Sequence, residues 1–269
     1  MTFREIHGLT IGEFERLREH QHVLAAVSAR GGGVGEPPFD SLNLGLHVPD
    51  RTEHVLENRR RLCAALGIEP QALVVPQQVH GARVAQVGRA DRGRGALDLA
   101  SAVAETDGLI TDEPGLALMA FSSDCPLILL YDPARPAIGL LHAGWRGTVA
   151  RIAAHGVEKM KDAFGTRPDE LIACTAPSVG PCCYEVRADV IAAASQAGLP
   201  VERLVQRRGD ATFFDLWRAN EEQLVGAGLS RNRISLPAVC TACRPDLFFS
   251  LRVANGQTGR FAAVLMLRE

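Results

Sequence analysis

The chain has 269 residues, 46% hydrophobic and 22% charged, enough for a substantial core and far from a disordered composition. Its 29 Lys plus Arg nearly balance 31 Asp plus Glu, so no overall charge draws it to nucleic acid or an anionic membrane, and a small-molecule partner is expected. There is no run of about 18 apolar residues, His7, Glu13 and Glu15 interrupt the place where a signal peptide needs a continuous apolar stretch, and the seven cysteines form an odd, irregularly spaced set. These features predict a folded cytoplasmic chain with reduced thiols, one of them a candidate metal ligand, rather than a disulfide framework; one monomeric domain over residues 1–269 is the expectation, although length alone fits two small domains equally.

In chain order, short β-rich runs punctuated by Gly and Pro predict strands at Val23 to Val27, Leu73 to Val75, Arg83 to Val87, Leu116 to Phe121, Leu127 to Tyr131 and Ala137 to Leu141. Between the first two, Val55, Leu56, Leu62, Cys63 and Leu66 share one stripe of a helix over Thr52 to Leu66, with Thr52 as N-cap and Gly67 as stop. Arg89 to Gly95, rich in Gly and Arg, reads as a mobile loop. After Gly147, Thr148 is placed to cap a helix running to Phe164 and stopped by Gly165. Helices at Ala188 to Gln196 and Asp215 to Val225 follow, then strands near Ile234, at Phe248 to Val253 and at Phe261 to Leu267, with Asn255-Gly256 as a hairpin turn between the last two. Consecutive strands with helices interspersed irregularly argue for an α+β fold rather than a regular parallel βαβ sheet.

Cys125 and His142 flank the two strands joined by Asp132-Pro133-Ala134-Arg135. If those four residues are the hairpin loop, Tyr131 pairs with Pro136, Leu127 with Leu140 and Cys125 with His142, so that a thiolate and an imidazole face each other across the ladder. His80, in Gln78-Val79-His80-Gly81 just beyond an apolar run, is a third candidate. Three N/S ligands with one position open fit a catalytic zinc. On spacing alone the alternative stands: Cys125 as a small buried apolar residue and the histidines as hydrogen-bonded groups. Asp124 should point to the opposite sheet face, as a turn residue or a neighbour of the ligands. Cys240-Thr241-Ala242-Cys243 and the pair Cys182-Cys183 read as loop and packing thiols, since a single C-x-x-C is weak and neighbouring cysteines seldom share a zinc.

Along nearly the whole chain run the segments Arg30-Gly31-Gly32, Ser41-Leu42-Asn43-Leu44-Gly45, Asn58-Arg59, Gln78-Val79-His80-Gly81, Asp124-Cys125-Pro126, His142-Ala143-Gly144-Trp145-Arg146-Gly147-Thr148, Gly180-Pro181 with Cys183-Tyr184-Glu185-Val186, and Thr258-Gly259-Arg260. In this order they resemble the YfiH-like family, also called the laccase-domain or multicopper polyphenol oxidase family and described as purine nucleoside phosphorylases. The resemblance implies a layered α/β/β/α sandwich and a zinc ion on His80, Cys125 and His142, which would also be the catalytic residues. It further implies phosphorolysis of adenosine, inosine and S-methyl-5′-thioadenosine with adenosine deamination, and substrate contacts from Asn43, Arg59 and Arg146; by pattern alone Arg59, on the polar side of its helix, and Asn43, in a Gly/Pro-rich loop, would be surface residues. Phe249-Ser250-Leu251-Arg252-Val253 departs from the family's usual Phe-Ser-Tyr-Arg-Arg.

Within this reading, Gly144, Gly147 and a helix starting at Thr148 would let backbone amides and Arg146 hold phosphate beside the metal. Two rivals remain. A copper-dependent polyphenol oxidase needs several paired histidines, and His20-Gln21-His22 is the one such pair. A Cys/His hydrolase editing a peptidoglycan precursor would use Cys125 as nucleophile beside His142.

Overall fold

The computed structural model describes every residue of the chain except Ala238 and Asn255. In chain order the strands are β1 (Thr2–Ile6), β2 (Leu9–Glu13), β3 (Val23–Ser28), β4 (Leu73–Val74), β5 (Val84–Gln86), β6 (Gly108–Thr111), β7 (Ala117–Ser122), β8 (Leu127–Asp132), β9 (Ala137–His142), β10 (Ile172–Thr175), β11 (Val205–Arg208), β12 (Ala211–Phe214), β13 (Ile234–Ser235) and β14 (Phe261–Leu267). The helices are α1 (Glu15–Arg18), α2 (Thr52–Leu66), α3 (Trp145–Val149), α4 (Ile152–Phe164), α5 (Ala188–Gln196), α6 (Val201–Leu204) and α7 (Leu216–Gly226). The strands form two six-stranded mixed sheets, ordered β1-β2-β3-β14-β7-β4 and β13-β10-β8-β9-β6-β5, and a ribbon β11-β12. No helix among the described residues is long and apolar enough to cross a membrane.

Period-two alternation builds the layers. In β7, Leu118 and Ala120 face the second sheet, while Ala117, Met119 and Phe121 pack with Leu62 and Cys63 of α2. In β8 and β9, Leu127, Leu129, Tyr131, Ile138 and Leu140 join that inter-sheet core, and Ile128, Leu130, Ala137 and Leu141 meet Ile152, Val157 and Met160 of α4. The order is therefore helix, sheet, sheet, helix, which is the expected α+β sandwich. Strands β7, β8 and β9 are buried on both faces and read as largely apolar runs.

The β8–β9 hairpin forms in a register two residues away from the expected one. Leu127 pairs with His142, Leu129 with Leu140 and Asp132 with Ala137. The cause is the Asp132 side chain, whose Oδ1 accepts the amides of Ala134 (2.9 Å) and Arg135 (3.1 Å) and so keeps Asp132 in the strand, leaving Pro133–Pro136 as the loop. A shift of two preserves which face each residue occupies. Cys125 is thus not directly opposite His142; it lies in the loop before β8.

Other expectations also change. Thr148 does not cap a helix: α3 begins at Trp145 after Gly144, Arg151 sits at φ +63° between α3 and α4, and the Thr148 hydroxyl donates to the Ala143 carbonyl. Arg89–Gly95 is not a free loop, because Val75 donates to the Arg94 carbonyl, Gly93 to that of Leu73, and Arg59 to that of Gly95. Phe248–Val253 forms turns rather than a strand, and the expected Asn255-Gly256 hairpin falls on a residue outside those described. Strands β1, β2, β6, β10, β11 and β12 were not anticipated.

Gly156 of α4 sets how closely that helix lies on β9: a Cβ there would stand 2.5 Å from Leu141 Cδ1, inside the buried core. Gly156→Val should therefore lower stability by about 1–3 kcal/mol in urea denaturation, despite the weak helix propensity of glycine. An unchanged midpoint would show that the helix and strand can separate without cost.

Candidate functional site

His142, last residue of β9, has the same parity as Ile138 and Leu140 and so projects into the space between the sheets. His80 comes from the turn after β4 and adopts a left-handed φ of +61°. Cys125 comes from the loop between β7 and β8. Their donor atoms all lie within 4.8 Å of one another, and the two imidazoles meet edge to face with centroids 4.9 Å apart. Gly144 closes the space on one side: a Cβ there would stand 2.8 Å from Cys125 Sγ and 3.3 Å from His80 Cδ2.

Asp107, fully buried at the head of β6, holds this arrangement. Its Oδ1 lies 2.9 Å from His142 Nδ1 and accepts the His80 amide (3.0 Å), while Oδ2 accepts the amides of Val79 (3.2 Å) and Gly81 (2.7 Å). An ionised carboxylate only accepts, so the proton sits on Nδ1 and Nε2 is presented to Cys125. Burial alone would raise the Asp107 carboxyl, but His142 and the amides outweigh it and hold it below its usual value. The Gln78 side chain fixes the same turn from the other side, donating to the Phe121 carbonyl and accepting its amide, each at 2.9 Å.

Burial would likewise raise the Cys125 thiol, yet the charge of His142 and hydrogen bonds from His142 and His80 bring it down to about 6. Burial would lower His142, but the Cys125 thiolate and Asp107 raise it to about 9. Each group thus favours the charged form of the other. One thiolate sulfur and two imidazole nitrogens converging on one point are a donor set suited to zinc, with Asp107 supplying the outer hydrogen bond that ligating histidines ordinarily make.

Above these residues opens a cavity of about 510 Å³ lined by His47, Phe121, Tyr184, Leu251, Arg252 and Arg260, among others. Burial, then the charges of Arg260 and Arg59, push the His47 imidazole down to about 4, so it is neutral at pH 7. Asp124 also borders the cavity, at φ +128°; its Oδ1 accepts the Thr241 hydroxyl (2.6 Å) and its Oδ2 the Arg252 amide (2.9 Å). Burial raises its carboxyl, partly offset by these donors.

The expected substrate contacts divide. Asn43 and Arg59 do not line the cavity. Asn43 is wholly buried, donating to Asp50 and accepting the Arg260 amide at 2.9 Å. Arg59, expected on the polar side of α2, is buried instead: its guanidinium donates to the carbonyls of Leu44, Gly95 and Ala96 and lies 4.9 Å from the Phe121 ring, behind the wall. Arg146 is exposed, stacked 4.3 Å over Trp145, in an adjoining depression that shares Tyr184 and Arg252 with the cavity. Asp107 and His47 escaped the sequence reading altogether. For Asp107 the available signal was a lone acid heading the apolar run Leu109-Ile110.

A second group was unexpected. Cys182, Cys183, Cys240 and Cys243, read as loop and packing thiols, bring all four sulfurs within 4.8 Å of one another, a set that could hold a metal. His20 of the H-x-H pair packs edge-on against Tyr131 at 5.0 Å and belongs to neither group.

The family described as multi-copper polyphenol oxidoreductase laccase matches residues 24–268. Purine nucleoside phosphorylase YlmD of Geobacillus stearothermophilus is 39% identical over 249 residues, 91% of this chain and 90% of that protein. Adenosine deaminase RL5, from an unknown prokaryotic organism, is 33% identical over 254 residues, covering 92% of this chain and 96% of that one. The crystal structure of Bacillus licheniformis YfiH superposes with a TM-score of 0.92 at 34% identity over 99% of both chains. The chain belongs to this family of laccase-domain proteins, with YlmD and YfiH among its members.

Proposed function

We propose that this chain is a cytoplasmic, zinc-dependent purine nucleoside phosphorylase acting on adenosine, inosine and S-methyl-5′-thioadenosine, with adenosine deamination as a second activity. The observation that carries the reading is the convergence of His80, Cys125 and His142 on the floor of a cavity that also offers aromatic faces and two guanidinium groups. The relatives named above, one a phosphorylase and one a deaminase, favour nucleoside chemistry over oxidation of phenols or editing of a cell-wall precursor.

In this reading His80, Cys125 and His142 are the metal ligands, and zinc supplies Lewis acidity next to the reacting centre. The chain's own groups do the rest. Phe121 and Tyr184 present apolar faces to the purine, and Arg252, stacked 4.7 Å over Tyr184, and Arg260 provide positive charge for phosphate and for the transition state. Arg146 extends that positive region outside the cavity. Asn43 and Arg59 position rather than touch, Asn43 through the Arg260 backbone and Arg59 through the ring of Phe121. Five residues of α3 form too short a helix to serve as the phosphate cradle, so the side-chain guanidinium groups take that role.

Incubation of metal-quantified protein with a nucleoside panel, with and without phosphate, should release free base only when phosphate is present. Base release without phosphate, or no turnover of any purine nucleoside, would contradict the reading. In the same assay Cys125→Ser should lose both metal and activity; an inactive variant that kept its full metal content would instead make Cys125 a nucleophile. Asp107→Asn should weaken metal affinity about 10–100-fold in a chelator competition, because it loosens His142 and the turn bearing His80 together. Affinity equal to the parent would remove Asp107 from that role.

A further inference from the structure

The four clustered cysteines lie outside the cavity, and the nucleoside chemistry uses none of them. Cys182 and Cys183 belong to the turn Gly180–Cys183, in which Cys183 and Tyr184 donate their amides to the Gly180 carbonyl (3.0 and 2.9 Å). This turn sends both side chains to one side, where Cys243 Sγ lies 3.6 Å from Cys182 Sγ and 3.4 Å from Cys183 Sγ. Cys240 and Cys243 come from a segment after β13, bridged to the first through Ser178 and Cys240. All seven cysteines of the chain are free thiols.

A tetrahedral ion with metal–sulfur bonds of about 2.3 Å has sulfur–sulfur edges of about 3.8 Å. Two of the separations, 3.6 and 3.4 Å, fall just below that edge, and all of them lie within 4.8 Å. A backbone donor and a guanidinium stand beside the sulfurs. The Gly180 amide donates to Cys240 Sγ at 3.2 Å, and Arg208, stacked over Phe213, binds the carbonyls of Cys182 (3.1 Å) and Pro181 (3.3 Å), bringing a positive charge beside the cluster. A binuclear iron–sulfur cluster would spread its four cysteines more widely than this single-ion spacing allows.

We propose that Cys182, Cys183, Cys240 and Cys243 form a closed, four-thiolate site for a single soft metal ion, zinc by its chemistry, separate from the His80–Cys125–His142 group. On binding, each thiol that carries a proton gives it to solvent and four sulfur–metal bonds form, with no change of oxidation state. The site ties together two segments some distance apart in sequence that both reach the cavity: Tyr184 follows Cys183, and Thr241, between the paired cysteines, donates to Asp124 beside Cys125. Its role is to fix that wall, not to take part in the reaction.

The test does not depend on the nucleoside reading. Elemental analysis of the full chain purified under reducing conditions should find metal retained by His80→Ala/Cys125→Ala, at about one ion per chain, and one ion per chain fewer in Cys240→Ser/Cys243→Ser than in the parent. To keep the test independent of how the second variant folds, the parent is also treated with iodoacetamide and mapped by peptide mass. The four cysteines should resist alkylation until a chelator is added, although Cys182 and Cys243 are exposed. Retained iron instead of zinc would still support a four-thiolate site. Prompt alkylation of the four in freshly purified protein, a mass showing disulfides among them, or no metal in the His80→Ala/Cys125→Ala variant would overturn it, and the last result would leave the nucleoside reading untouched.

Discussion

The carboxylate of Asp107 accepts the His142 ring proton and the amides of Val79, His80 and Gly81, and the rest of the site depends on that one clamp. A buried carboxylate is costly unless its acceptor sites are filled, and here four donors fill them. The backbone adds a fifth link, since the His142 amide donates to the Asp107 carbonyl at 2.7 Å. Two ligand candidates from unrelated segments, one at a strand end and one on a turn at φ +61°, are thereby held to a single geometry. A left-handed histidine is strained backbone, sustained here because the carboxylate binds the amides on both sides of it.

The layers make that clamp possible. Alternation along β9 points His142 into the interior, and the fully buried β6 places Asp107 beside the end of the same strand. Cys125 reaches the pair from the loop before β8, and Gly144 leaves room for its sulfur. The outer walls are then held from behind: Arg59 neutralises three carbonyls while backing Phe121, and Asn43 fixes the Arg260 backbone.

Much of the framework was legible in the sequence because it rests on local rules. Helix α2 spans the expected Thr52–Leu66 and stops at Gly67, which adopts φ +66°, although Thr52 is its first residue and Arg51, with no side-chain cap, takes the N-cap place; the apolar runs of β7, β8 and β9 form strands where expected. What failed was longer in range. The hairpin register turned on one aspartate side chain, which loop length alone could not reveal. Phe248–Val253 has the composition of a strand, but Ser123 and Asp124 capture the amides of Leu251 and Arg252 and fold it into turns. Arg59 read as a solvated face because its carbonyl partners lie up to 37 residues away. The four-cysteine group looked like two weak fragments for the same reason: about 60 residues separate its halves, and the bridge between Ser178 and Cys240 brings them together.

The central claim is that Asp107 preorganises His80, Cys125 and His142 as one metal site. Anomalous diffraction from crystals of zinc-loaded protein, recorded on either side of the zinc absorption edge, tests it most directly. The account predicts a peak between the donor atoms of these three residues, with the His142–Asp107 hydrogen bond intact. Ordered side chains with no peak at that position, or a peak whose ligands exclude Cys125, would contradict it.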